Sequence, residues 1–277
     1  MGEYNPELEE GVGSEAGEEL KEPAMYKVLL LNDDYTAMDL RARLQPPVWM
    51  QAGEPAHLFG TDNLGRDVLS RLIFSIRMSL LVAFLGTIIG AILGTVLGFV
   101  AAHFRGWVDD IVMAAVDFQA ALPFFIIALA LLAFFGNSLG LFIGLMGIYG
   151  WERYARITRG LALSALTHGY AVAVGTLGAT PPRIYFRHIL PNMSSTLIVM
   201  MTLNFPATVI LESSLSFLGI GIQPPMTSLG NMLGFGRDYL TTAWWIAVLP
   251  GVSIFLATLA MSILGDWVRD RLDPTLR

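Results

Sequence analysis

The sequence predicts an all-α fold, a polytopic bundle of membrane-spanning helices. Composition is the first sign. Apolar residues fill 54% of the 277 positions and charged residues only 14%, whereas soluble domains carry about 25% charged residues. The second sign is how the apolar residues are arranged. Met78–Ala102 runs for 25 residues without a charge, Thr241–Leu264 for 24 and Met193–Leu211 for 19. Roughly 20 apolar residues cross the hydrocarbon of a bilayer. Backbone amides inside lipid must be satisfied within their own segment, so these runs predict helices rather than open strands.

Taken in order, residues 1–24 are rich in Glu and Gly and poor in apolar side chains, and they predict disorder. Met25–Leu31, MYKVLLL, followed by Asn32-Asp33-Asp34, predicts one short strand ending in a polar turn. Arg41–His57 is a loop containing Pro46, Pro47 and Pro55. Five helices are then predicted, at about 75–102, 109–135, 138–160, 193–214 and 242–267. The third has the weakest support, because its uncharged part, Leu139–Trp151, is 13 residues long and must continue through Glu152-Arg153. The domain boundaries that follow are a head at 1–38, an extracytoplasmic loop segment at 39–74 and a transmembrane domain at 75–277 containing a polar loop at 165–191.

Charge is unevenly shared. Residues 1–40 hold 11 of the 23 acidic residues and both lysines, Lys21 and Lys27, while all 15 arginines come later. Two regions with disjoint basic residues suggest separate origins. There are no cysteines, which excludes disulfides, zinc–thiolate sites and thiolate nucleophiles. No basic n-region precedes an apolar stretch at the N-terminus, so no signal peptide is predicted. A phosphate-cradling Gly-x4-Gly-Lys-Ser/Thr loop is excluded, because neither lysine follows such glycines. His57, His103, His168 and His188 are scattered, with no metal-ligand spacing and no nucleophile–base arrangement. The expectation is therefore no catalytic residue, no metal site, no cofactor bound by this chain and no nucleic-acid partner.

Some residues within the predicted spans are candidates for mechanism. Gly86, Gly90, Gly94 and Gly98 recur every four residues, which puts small side chains on one stripe and lets two helix backbones approach closely. That stripe suits packing, or sliding during alternating access. Asp117 and Glu212 are ionisable groups in spans, where such groups often mark pathways or paired contacts. Asp117 reads as a pathway or interfacial residue, and Glu212 as a structural cap, an inter-subunit hydrogen-bond partner or a substrate contact. Pro123, Pro206 and Pro250 each fall in a span and predict kinks.

The loop Tyr170–Asn192, YAVAVGTLGATPPRIYFRHILPN, lies between membrane-length helices. It resembles the cytoplasmic coupling loop of ABC-importer permeases, with Gly178, Ile189, Leu190 and Pro191 at the family's positions. Three further strings resemble the second-type permeases of dipeptide, oligopeptide and nickel importers: Gly60–Arg71 (GTDNLGRDVLSR), Leu215–Pro225 (LSFLGIGIQPP) and Gly265–Pro274 (GDWVRDRLDP). The resemblance runs from about residue 39 to the C-terminus. It implies a type I ABC-importer permease fold with a cytoplasmic coupling helix, in which Ala173, Leu177, Gly178, Ala179, Ile189, Leu190 and Pro191 receive force from an ATPase. Within the loop, Pro181-Pro182 are expected to end one short helix, with Arg183–Ile189 forming a second. The family's usual loop Glu and Arg fall on Val172 and Gly175 here, which removes two charged anchors.

The head resembles a different family. Glu22–Met38, EPAMYKVLLLNDDYTAM, is similar to the start of ClpS protease adaptors, whose amine-binding Asn-Asp pair falls on Asn32 and Asp33. That family's amine-binding histidine has no counterpart here. The head occupies the place of the first of the permease family's six spans. This predicts a chimera joined near Asp34–Asp39, with five spans and an outer N-terminus.

The implied partners are a sister permease, two cytoplasmic ABC ATPases that carry ATP and Mg, an extracytoplasmic solute-binding protein and the lipid bilayer. With the coupling loop inside, nine arginines face inward and six outward, a mild positive-inside bias that places the C-terminus in the cytoplasm of a bacterial inner-membrane protein. The alternatives are an ATP-independent channel or secondary transporter, which copurification with an ATPase would exclude, and a ClpS-like adaptor fragment.

Overall fold

The computed structural model describes residues 35–167, 174 and 176–272. The predicted strand and the ClpS-like Asn32-Asp33 pair lie outside the described residues. Every long described element is a helix, and the only described β pairing is the isolated bridge between Thr61 and Asp67.

Helix α1, Val68–Phe104, begins earlier than residue 75 because Asp67 caps it: the carboxylate accepts the Ser70 amide at 2.7 Å. Its 37 residues are about 55 Å long, well beyond the ~30 Å of hydrocarbon.

The predicted helix 109–135 is instead two, α2 (Gly106–Ala121) and α3 (Phe124–Phe135), bent by 95°. Pro123 removes a backbone donor and forces Leu122 into extended conformation (φ −92°, ψ 136°), so the expected kink is a full break. The predicted helix 138–160 divides as well, into α4 (Leu139–Ile148) and α5 (Trp151–Thr167). Gly150, at φ 86°, turns the chain between them.

Helix α6, Pro181–Phe217, is continuous apart from one π turn at Tyr185–Ile189. Pro181-Pro182 open this helix rather than closing a previous one. Proline suits the first helical turn, where its missing N–H would have no partner. The short α7 (Leu229–Gly236) and the long α8 (Trp245–Leu272) complete the bundle.

Among the described residues, α1, α6 and α8 are each long and apolar enough to cross a membrane, and the bent α2–α3 pair makes a fourth candidate. The remaining predicted crossing corresponds to α4 and α5, parted at Gly150. Helix α1 is the central post, against which α4, α5 and α6 pack, while α8 lies on α6 and α7. The outward faces are apolar. Val252, Phe255, Leu259 and Ile263 of α8 are exposed, as suits a surface solvated by lipid or another subunit.

The glycine stripe explains how close the post is to its neighbours. A Cβ on Gly86 would meet the Met146 side chain, and one on Gly90 the Gly147 carbonyl. Gly94 abuts Trp151 and Tyr154, and Gly98 abuts Ala155 and Thr158. The stripe thus fits α1 against α4 and α5 backbone to backbone.

Candidate functional site

Between α5 and α6 the structure describes residue 174 and residues 176–180, and these form a tight corner just before α6. Val174 and Thr176 are helical, and the helix ends at Gly178, whose φ of 84° is the left-handed conformation glycine adopts freely. The Ala179 amide donates back to the Val174 carbonyl at 3.3 Å. This is the wide back-bond of a Schellman cap, with Gly178 as its left-handed residue. Two residues later Pro181 opens α6. Leu177 stands at the apex with 86% of its surface exposed. Thr176 and Gly178 are exposed and Ala179 half-buried. Ala173 lies outside the described residues, as do Val172 and Gly175.

The C-terminal half of the predicted motif lies on α6 and is not one surface. Ile189 is buried with Tyr154, Ala162, Met193 and Leu197, so it knits α6 to α5 and offers no face to a partner. Leu190 is half-buried and Pro191 exposed. The motif therefore combines an exposed apex at Leu177–Gly178 with an internal anchor at Ile189.

Helix α5, which precedes this corner in the chain, is held to the rest of the bundle on two sides. Trp151, Tyr154, Ala155, Thr158 and Ala162 form its buried face, at helical spacing. Its other side carries arginines that tie it to α2. Arg156 pairs with Asp117 at 2.9 Å, and Arg159 pairs with Asp109. Asp117 is thus a surface ion-pair partner, 70% exposed. Gln119 of α2 adds a bond to the Ile148 carbonyl at 2.6 Å and accepts the Trp151 indole N–H.

A second polar group sits at the other end of α1. Asp62, in the string Gly60–Arg71, is buried and folds that string around itself. Its carboxylate accepts the Leu64 amide at 2.8 Å, the Arg66 amide at 3.0 Å and the Arg66 Nε at 2.7 Å. Arg71, in the first turn of α1, is buried too. It lies 3.4 Å from Asp62 and donates to Thr227 at 3.3 Å. Asp67 receives the His57 imidazole at 3.0 Å while it caps α1. The hydrogen bond to Asp67 holds the His57 pKa above its ordinary value, against a smaller opposing effect of burial.

Glu212 lies deeper in the same region and is wholly buried. Ser216 donates to it at 2.8 Å and Ser213 at 3.3 Å, and Ser79 of α1 and Ser228 before α7 complete a ring of hydroxyls. Its carboxylate ties α1, α6 and α7 together inside the chain and faces neither solvent nor another subunit. Of the roles anticipated for it, the burial and the intramolecular bonds fit a structural one, and leave no face for a substrate contact or an inter-subunit bond. The buried pair Asp62–Arg71 is a feature that sequence reading missed. No advance signal pointed to it, because the predicted helix began only at about 75 and left Arg71 in the loop segment.

The family described as "Binding-protein-dependent transport system inner membrane component" matches residues 94–277. The chain belongs to that family. Relatives agree along most of its length. The Di/tripeptide transport system permease protein DppC of Pseudomonas aeruginosa is 39% identical over 234 residues, 84% of this chain and 77% of the relative. The Dipeptide transport system permease protein DppC of Escherichia coli K12 is 42% identical over 236 residues, 85% of this chain and 79% of the relative. That of Haemophilus influenzae is 34% identical over 244 residues, 88% and 83% respectively.

The fold agrees. A chain of the MetNI methionine ABC transporter, in inward-facing form, matches with a TM-score of 0.60 at 18% identity, covering 73% of this chain and 96% of that one. A chain of an amino acid ABC transporter with histidines matches with a TM-score of 0.56 at 17% identity, covering 72% and 93%. This inner membrane component is thus a multi-pass membrane protein of a transport family rather than of an enzyme family.

Proposed function

We propose that this chain is the membrane-spanning permease subunit of an ATP-driven importer for peptides or similar small solutes. The observation that carries the proposal is the exposed corner at Leu177–Gly178, set between α5 and α6 in a chain whose relatives are dipeptide permeases. The chain has no phosphate-binding loop of its own, since its only lysines are Lys21 and Lys27. Work must therefore arrive from another polypeptide.

Two cytoplasmic ABC ATPases, holding ATP and Mg, dock on this corner and on its counterpart in a sister permease. Closure of the ATPases pushes the corner. The thrust runs along α5 into the Gly94–Gly98 contact with α1 and through the arginine pairs into α2. A solute-binding protein delivers cargo at the opposite face, where the Asp62–Arg71 segment caps α1. The arginine bias supports a cytoplasmic corner and a cytoplasmic C-terminus.

The test uses the lack of native cysteine. Leu177→Cys, in the full chain purified with its accompanying subunits, is expected to crosslink to an ATPase through a short bifunctional thiol reagent, more when nucleotide is bound. If no ATPase copurifies, or if the introduced thiol is modified by impermeant reagents from outside the cell, the proposal fails.

A further inference from the structure

Where α1 meets the start of α6, the surface opens into a groove of about 350 Å³. Its walls are apolar: Val96, Phe99, Val100 and Phe104 from α1, Pro181 and Phe186 from α6. Two polar side chains also line it, and the Tyr185 hydroxyl lies 3.4 Å from His103 Nδ1. Tyr185 opens the π turn of α6 and stacks at a tilt on Phe99, with ring centroids 5.1 Å apart. Irregular turns of this kind recur at functional positions in helices.

The position of the groove says what medium it faces. It follows the last turns of α1's uncharged run, which ends at His103-Phe104-Arg105. An apolar helix that ends in a cation marks the edge of the hydrocarbon, where headgroups begin. Arg105 is close enough to act electrostatically on the Tyr185 phenol. Arg183 and Arg187 flank the groove's α6 wall and are exposed. Among the described residues, none of these three arginines pairs with a carboxylate. An apolar slot beneath unneutralised cations at headgroup depth is complementary to one class of molecule, an acyl chain carrying an anionic head.

We infer that this groove is a binding site for an anionic phospholipid, one acyl chain lying between Val100 and Phe186 and its phosphate held by Arg105, Arg183 and His103. The lipid bridges the end of α1 and the first turns of α6, the two elements beside the coupling corner. It therefore stiffens the base on which that corner moves. Which leaflet supplies the lipid rests on the cytoplasmic placement of the corner proposed above.

The test reconstitutes the full chain, in the assembly in which it purifies, into vesicles containing either phosphatidylglycerol or phosphatidylcholine with a photoreactive group in the acyl chain. Adducts are mapped by mass spectrometry. Phosphatidylglycerol adducts are expected to concentrate at 96–104 and 181–186, with a preference over phosphatidylcholine of about fivefold for each arginine engaged. Val100→Trp, which fills the groove, abolishes them. Combined replacement of Arg105 and Arg183 by Gln touches only exposed groups and brings the two lipids level.

Three results would overturn the inference. They are equal labelling by both lipids in the unaltered chain, adducts no denser there than at Leu259 and Ile263 on the outward face of α8, and crosslinking of the groove to another polypeptide in place of lipid. Labelling of Leu177→Cys by an impermeant maleimide, in intact cells and in inverted vesicles, reports the orientation separately. An outward corner would overturn the cytoplasmic assignment and leave the lipid ratio as it stands.

Discussion

Gly98→Ala measures how tightly α1 is seated. The new Cβ would lie 2.6 Å from the Ala155 carbonyl oxygen, 2.8 Å from the Thr158 Cβ and 3.0 Å from the Arg159 amide nitrogen. Ordinary contact begins at 3.4 Å. Two of the three obstacles are backbone, so no rotamer change relieves them. Helix α5 must withdraw by the better part of an ångström. Overpacking of this kind costs about 1–3 kcal/mol. For a chain of this size each kcal/mol moves a melting midpoint by about 2–4 °C, so the expected loss is about 2–12 °C. Gly140→Ala is the matched control. Nothing lies within 4 Å of its Cβ position in α4, and alanine there is favoured over glycine by about 0.5–1 kcal/mol. The assay is the fraction of detergent-purified protein that stays monodisperse after heating. Since the strained contact is with the helix leading to the coupling corner, Gly98→Ala is also expected to lower ATP-driven uptake more than its stability loss explains. If both variants melt together, α1 and α5 are not in backbone contact and the proposed route of force is wrong.

Asp62→Asn leaves Arg71 buried without its counter-charge. Breaking a buried pair costs about 3–5 kcal/mol, and the measurable outcome is poor yield or loss of the folded peak in gel filtration. Glu212→Leu strands a ring of serine hydroxyls and is expected to cost about 2–4 kcal/mol, whereas Glu212→Gln keeps most of the bonds. Equal heat stability of the two variants would contradict the intramolecular role of Glu212. His57→Ala should show a pH signature. The folded-state pKa of His57 is raised above 6.5, so its charge-dependent contribution is full below that value and disappears as pH rises through the folded value. The gap in melting midpoint between the parent and His57→Ala is expected to be widest near pH ~5.5 and narrower near ~8.5. A gap that widens with pH refutes the pairing with Asp67.

Uncharged runs located the membrane-crossing parts of α1, α6 and α8, because lipid imposes a length that composition reports directly. The ends were harder to read. Asp67 begins α1 and Pro181 begins α6 through local backbone chemistry that hydropathy ignores. Pro123 was legible as a perturbation, but whether a proline kinks a helix or breaks it depends on what the next segment packs against. Gly150 turns the chain between α4 and α5, which lie on successive stretches of the same glycine stripe of α1, and no local pattern encodes that arrangement. The apex at Gly178 was legible from the family pattern, whereas the burial of Ile189, only two positions before Pro191, was not. Arg71 looked like a loop arginine. Its burial depends on Thr227, 156 positions away, and no local pattern encodes a contact of that span.

The turn at Gly178 has a mechanical corollary. A left-handed glycine locked by a back-bond, with two prolines starting the next helix, leaves few soft torsions between the apex and α6. Play in such a joint would swallow a displacement before it travelled. A hard joint passes on nearly its whole stroke, so a movement of a few ångströms below is reproduced as tilt above rather than dissipated in a flexing loop.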